Sequence, residues 1–422
     1  MMPLTINIPD TNKKRIIIVG CGFAGLTLAK YLKNSNHQVV IIDKNNFHQF
    51  QPLFYQVATA GLEPRDIAFP IRKIFQNYKD YFIRIANVTK VIPEQNLIET
   101  SLGNLKYDFL ILANGADTSF FGLHKIQEYA KPMKNVYESI ELLWNILQNL
   151  EDALTTSIDE NEELLNIVVV GGGPTGVEIS GALIEMKKFV FPKDYPELNC
   201  NHINIYLIEA SPRLLGGMSE KSSEKSKAFL EKMGVKVLTS TAVKDYDGHI
   251  VSLGNGELIK SKTLIWAAGI QGNIINGINA SNFTRANRIL VNEINRIKDY
   301  ENIYALGDIA CMANEKNPGG HPQVAQVAIQ QAKNLANNLK MNTSNPFKYK
   351  DLGSMATIGR NKAVVDLPFI HFDGFFAWLV WMLIHLRSIF GIKNKILIFI
   401  NWVWSYLTYD QSLRLLFKPF RK

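Results

Sequence analysis

The residues of this chain best placed to do chemistry are two sets of glycines and the carboxylates near them. Ile167 to Val170 form an apolar run that feeds into Gly171, Gly173 and Gly176 in G-x-G-x-x-G spacing, with a helical pattern directly after. That order is the strand, tight turn and helix that a dinucleotide pyrophosphate needs: the first glycine makes the turn, the second removes the side chain between backbone and phosphate, and the third lets helix and strand close up. The anion then rests on helix-end N–H groups. Arg15 to Val19 followed by Gly20, Gly22 and Gly25 repeats the pattern. One such motif is a weak signal, but two, each followed by a strand ending in an acid, are a strong one. VVIID ends at Asp43, about 20 residues past its glycines, the usual distance for a carboxylate that binds an adenosine ribose. INIYLIE ends at Glu209, somewhat later because FPKDYPELN is inserted before it. Two dinucleotides are therefore expected. Glu178 sits one turn inside the second helix, where it either complements the helix dipole or faces another cavity and does chemistry there; the residues alone leave these readings even.

Positioning these groups requires a duplicated α/β architecture. After each acid-tipped strand come strand-and-turn patterns, FIRIANVTKVIPEQNLIET and VKVLTSTAVKDYDGHIVSLGNGELIKSKTL, and then a strand ending at a glycine, Gly115 or Gly269. The expectation is two Rossmann-like domains, each with a small crossing sheet, Val88 lying near the closest approach of the first. The aromatic-rich stretch from Asn45 to Phe75 reads as loops that cover a flat ring or act as a connector. A helix is predicted from Ser139 to Leu154, and the acidic run Asp159 to Glu163 reads as a solvated linker. IYAL delivers Gly307-Asp308, where the carboxylate can reach a ribityl hydroxyl or a phosphate, although Gly-Asp is also a common turn dipeptide. HPQVAQVAIQQAKNLANNL reads as a helix with Gln326 and Gln330 on one face.

At 422 residues, 47% hydrophobic and 20% charged, the chain has room for two nucleotide units and an appendage. Cys21, Cys200 and Cys311 are far apart, which argues against a dithiol centre and makes all three expected core residues; no metal site is expected. The N-terminus, MMPLTINIPDTNKKR, has no apolar signal-like stretch.

The two glycine motifs, with LFYQVATAG, LILANGA, WAAGI, ALGDIA, AQVAIQ and IGRNKAVVDL in this order, resemble the type II NADH dehydrogenases, single-subunit NADH:quinone oxidoreductases. The resemblance covers nearly the whole chain and implies a glutathione-reductase-like architecture. It divides the chain into an FAD-binding domain at 12–120 and 288–345, an NADH-binding domain at 121–287, and a membrane-anchoring region at 346–422. It places Gly20, Gly22, Phe23, Ala24, Gly25, Asp43, Lys44, Val88, Gly115, Asp308 and Ala325 against FAD, and Gly171, Gly173, Gly176, Glu209 and Gly269 on the NADH side. Gln326 and Gln330 are implied to line the quinone pocket, Gln326 also touching the flavin. Lys362 is implied near both flavin and quinone, and Glu178 matches a carboxylate that assists proton delivery. Asn114 stands where the family more often has threonine, and Asp43 where it more often has glutamate; both keep hydrogen-bonding capacity.

From Gly374 onward the composition changes. The uncharged runs Gly374 to Leu386 and Ile396 to Tyr409 are shorter than the roughly 20 residues a spanning helix needs. Trp378, Trp381, Trp402 and Trp404, interleaved with Arg387, Lys393 and Lys395, suit helices lying in the headgroup region. The net charge of +8, with Arg414, Lys418, Arg421 and Lys422 beside leucine-rich sequence, points to anionic lipid rather than nucleic acid. A helix pair buried in a homodimer is compatible with that reading. The expected activity is FAD-dependent oxidation of NADH with two-electron reduction of a membrane quinone and no proton pumping, on the cytoplasmic face of the cell membrane. NADH is preferred because Glu209 would repel a 2′-phosphate, with Arg213 nearby as a counterweight. The alternatives are a soluble NAD(P)H-dependent reductase acting on a protein or sulfur substrate, and a nonenzymatic redox-sensing membrane adaptor.

Overall fold

The computed structural model describes residues 5–156, 161–315, 317–409 and 414–417. Asp159 and Glu160 of the acidic run, and Lys418, Arg421 and Lys422 of the basic tail, lie outside the described residues. The chain divides into two compact units, the first formed by Met1–His48, Phe69–Asp117 and Ile270–Asp351, the second by Gln49–Ala68, Thr118–Gly269 and Leu352–Lys422. Residues 49–68, from the stretch read as ring-covering loops or a connector, and the C-terminal region thus fall in the same unit as the second nucleotide core.

In the first unit a five-stranded parallel sheet is centred on Lys14–Val19, flanked by Phe109–Leu112 and Ile303–Ala305 on one side and by His37–Asp43 and Tyr81–Ile85 on the other. Ile16, Ile17 and Ile18 are fully buried, as a strand covered on both faces requires. The strands Val88–Ile92, Leu97–Thr100 and Gly103–Lys106 make the small antiparallel sheet, and Val88 packs against the core. The helix predicted from His321 begins at Ala325 and runs to Met341; Pro322 biases the residue before it away from helical geometry.

The second unit repeats the plan. Asn166–Val170 is central, with Thr263–Trp266 and Lys131–Pro132 on one side and Asn204–Ile208 and Lys236–Leu238 on the other. Its antiparallel sheet is Val243–Tyr246, Ile250–Leu253 and Leu258–Lys260. The helix expected from Ser139 starts earlier, Val136–Thr155, because Asn135 caps it by accepting the Glu138 N–H at 2.9 Å. The aromatic stretch is more ordered than its loop-like composition suggested: Phe54–Ala58 and Pro64–Ile67 are helical turns. Glu163 is not a solvated linker residue, since it pairs with Lys262 at 3.0 Å and His249 at 2.9 Å. Cys21 and Cys311 are buried as expected, but Cys200 is only half-buried.

The C-terminal region adds an antiparallel sheet, Ser354–Gly359, Lys362–Leu367 and Ile370–Asp373, and two helices, Phe375–Ser388 and Ile392–Thr408. Among the described residues no helix is long and apolar enough to cross a membrane. The tryptophans do not share one environment: Trp404 is 58% exposed, whereas Trp381 (2%) and Trp402 are buried. Arg414 is taken up by Asp194 at 3.0 Å.

Candidate functional site

The two glycine turns are built alike. Gly20 and Gly171 adopt φ of +93° and +110°, a region that favours glycine. A Cβ on Gly20 would lie 2.4 Å from the Ala113 carbonyl oxygen, and one on Gly171 would lie 2.5 Å from that of Ala267. The third glycines close helix onto turn: a Cβ on Gly25 or Gly176 would lie 1.9 or 1.8 Å from the oxygen of the turn's first glycine. The second glycines, Gly22 and Gly173, face open space and stand at the N-caps of the helices Phe23–Tyr31 and Pro174–Phe189, where glycine supplies no capping side chain. Open space above uncapped helix N–H groups is what a pyrophosphate fills.

The acids are placed alike too. Asp43 accepts the Cys21 N–H at 2.6 Å and the Asn45 N–H at 2.7 Å. Glu209 accepts the Gly172 N–H at 2.5 Å and the Ser211 N–H at 2.7 Å. Each carboxylate is thus fixed against the middle of its turn with lone pairs to spare for ribose hydroxyls. Burial raises the Asp43 pKa, and the two N–H bonds and the charge of Lys44 oppose the shift.

Around the first turn, Ala24, Gly307 and Ala328 converge, a Gly307 Cβ lying 3.2 Å from Ala328 and 3.3 Å from Ala24. Gln331 accepts the Gly307 N–H at 2.8 Å, and Gln323 holds the Asp308 carbonyl at 2.9 Å. Phe23 meets His48 edge-on at 5.5 Å. Gly115 turns the chain at φ +70°, and Asn114 exchanges two hydrogen bonds with Asn273, at 2.7 and 2.9 Å. Gln326 and Gln330 do share a face of helix 325–341. Gln330 makes a two-bond clasp with the Lys350 backbone at 2.9 and 3.0 Å, and Gln326 reaches the Asp351 carboxylate at 3.5 Å.

In the second unit, Glu178 does not cap its helix. It is 8% exposed and forms part of the wall of a cavity of about 110 Å³, accepting the Thr357 N–H at 3.4 Å. Burial pushes its carboxyl from the ordinary 4.5 up to about 8, against the opposing Thr357 N–H and the Trp381 indole N–H. Among the described residues that indole N–H has no hydrogen-bond partner of normal geometry. The cavity's other walls come from residues whose roles the sequence left unread. Tyr55 is buried, and its hydroxyl accepts from Gln56 at 2.8 Å while Gln56 accepts the Trp402 indole N–H at 2.8 Å. Trp381 stacks on His385 at 3.9 Å, and burial lowers that imidazole to about 4, so it is neutral. Lys362 half-emerges beside Arg360, donating to its carbonyl at 3.3 Å, and its charge acts on the second carboxylate of the cavity, Glu185.

The duplicated turns and paired acids define an α/β protein with two dinucleotide-binding cores. Residues 14–332 match the family described as pyridine nucleotide-disulphide oxidoreductase, and residues 352–409 match the NDH2 C-terminal domain. The type II NADH:quinone oxidoreductase Ndh of Mycobacterium tuberculosis is 33% identical over 416 residues, 94% of this chain and 89% of its own. A probable NADH dehydrogenase of Dictyostelium discoideum is 30% identical, over 92% of this chain and 89% of its own. NDH2 from Plasmodium falciparum, solved with NADH, shares the fold at a TM-score of 0.88 and 22% identity, covering 96% of this chain and 100% of that one. The chain belongs to the type II NADH:quinone oxidoreductases.

Proposed function

We propose that this chain oxidises NADH with FAD and reduces a membrane quinone by two electrons, without moving protons across the membrane. The observation that carries this is the pairing of two equivalent dinucleotide turns with an NDH2 C-terminal domain in one chain. When bound, FAD supplies a two-electron acceptor for hydride and a donor to quinone. We assign FAD to the first unit, at Gly20, Gly22, Phe23, Ala24, Gly25, Asp43, Lys44, Val88, Gly115, Asp308 and Ala325, and NADH to Gly171, Gly173, Gly176, Glu209 and Gly269. Asp43 and Glu209 orient ribose hydroxyls, and Glu209 disfavours a 2′-phosphate. Gln326 and Gln330 are assigned to the quinone. Reduction consumes one proton beyond the hydride (NADH + H⁺ + quinone give NAD⁺ + quinol). Glu178, neutral near pH 7, holds that proton in a partly desolvated site.

The membrane contact is assigned to the exposed stripes Phe375, Leu379 and Leu383 and Ile392, Ile396, Phe399, Val403 and Leu407. Their spacing puts each set along one helix face. Anionic lipid, the cytoplasmic face and a homodimer complete the proposal. The deciding experiment is a visible spectrum of purified protein: NADH bleaches the flavin bands and a short-chain quinone restores them. Protein that stays bleached when quinone is added in the absence of oxygen would be a different reductase.

A further inference from the structure

Glu178 is not the only carboxyl on its cavity wall. Glu185 lies seven residues on in helix 174–189 and lines the same cavity. Seven residues are two turns, which returns the side chain to the same face about 10 Å further along the axis. Ala182, between them on that face, also lines the cavity and contributes only a methyl, leaving the space between the two acids open. A space of about 110 Å³ is roomy enough for several waters. Glu185 is enclosed by protein yet keeps part of its surface open, so it is the outer member of the pair, while Glu178 is the inner one. One Glu185 oxygen accepts the Arg360 N–H at 2.6 Å. The charged and titratable groups facing it are Arg360 and Lys362 from the hairpin, Tyr55 from helix 54–58, and Lys188 and Glu178 from its own helix. Tyr406 from helix 392–408 lines the same space. Burial raises the Glu185 pKa, and the Arg360 N–H and the three cations oppose the shift.

We propose that Glu185 is a proton-relay residue that reloads Glu178 through water in the cavity they share. The relay rests on Glu178 being the proton donor proposed above. After Glu178 has given its proton to the reduced quinone, an O–H bond at Glu185 breaks, the proton crosses by water exchange, and an O–H bond forms at Glu178. Glu185 regains a proton from bulk water, and no electrons move.

The test compares Glu178→Gln, Glu185→Gln and Glu185→Ala as FAD-loaded enzyme on vesicles. Glu185→Gln keeps the shape and the acceptor for the Arg360 N–H. It should lower kcat for quinone reduction at least tenfold with little change in KM, leaving NADH bleaching of the flavin intact. Glu185→Ala leaves space for a small acid, and millimolar formate should restore its turnover but not that of Glu178→Gln. Infrared spectra in H₂O and D₂O should lose a protonated-carboxyl band in Glu185→Gln. Wild-type turnover of Glu185→Gln from pH 6 to 9 beside an impaired Glu178→Gln overturns the relay alone. Wild-type turnover of both overturns the Glu178 reading and the relay with it. A loss in both Glu185 variants that formate does not restore shows an anchoring role for Glu185 and also overturns the relay.

Discussion

Replacing Glu178 with Gln removes a titrating group while keeping its shape and an acceptor for the Thr357 N–H, so its consequences can be worked out closely. The carboxyl has an ordinary pKa of 4.5 and a folded pKa of about 8. Between those values the folded chain holds a proton that the unfolded chain releases, so stability falls as pH rises through the window. The contribution is intact below pH 4.5 and its loss levels off above pH 8. At about 1.4 kcal/mol per pH unit, the burial costs about 3 kcal/mol at pH 7 and about 5 kcal/mol above pH 8. Glu178→Gln should therefore match the wild type in denaturant resistance near pH 4.5 and exceed it progressively up to pH 8, while quinone reduction falls by about 10² or more. The assay is denaturant unfolding of the FAD-loaded protein from pH 5 to 9, followed by the pH profile of turnover. A stability difference that stays flat across that range would refute the argument, because it would mean that Glu178 is already ionised in the fold.

Gly181 packs helix 174–189 directly on strand 354–359, and a Cβ there would lie 1.9 Å from the Ile358 carbonyl oxygen. Gly181→Ala should destabilise the second unit by about 1–3 kcal/mol and reduce turnover, read by thermal unfolding and steady-state assay. Glu209→Ser leaves the Gly172 N–H without its partner and removes the charge that opposes a 2′-phosphate; the ratio of kcat/KM for NADH over NADPH should fall at least tenfold. Phe399→Glu places a charge on an exposed apolar stripe without touching the cavity wall. Vesicle flotation should decrease strongly while NADH bleaching of the flavin persists.

The nucleotide turns were legible in the sequence because all their parts are local: a buried strand, three glycines and the start of a helix lie within about a dozen residues, and each acid ends the adjacent strand. The cavity was not. Glu178 meets Thr357 and Trp381, and Gln56 meets Trp402, across separations of 179 to 346 residues, and no spacing rule links them. The tryptophans misled for a related reason. Alternating aromatics and cations read as an interfacial belt, yet on a helix only one face can meet lipid, and Trp381 and Trp402 lie on the other. Glu185 did leave a trace, seven residues after Glu178 on a helix, but only the cavity gives that interval meaning.

The near-identity of the two glycine turns constrains where ligand choice can reside. Both turns use the same hydrogen bonds and the same acid clasp on the middle residue, so neither can by itself tell a flavin nucleotide from a pyridine one. Discrimination must therefore sit in the margins, where the copies have diverged: Phe23 and His48 beside one, Pro174 and Leu214 beside the other. One and the same grip thus serves both halves, and the guest of each is chosen by what stands around it.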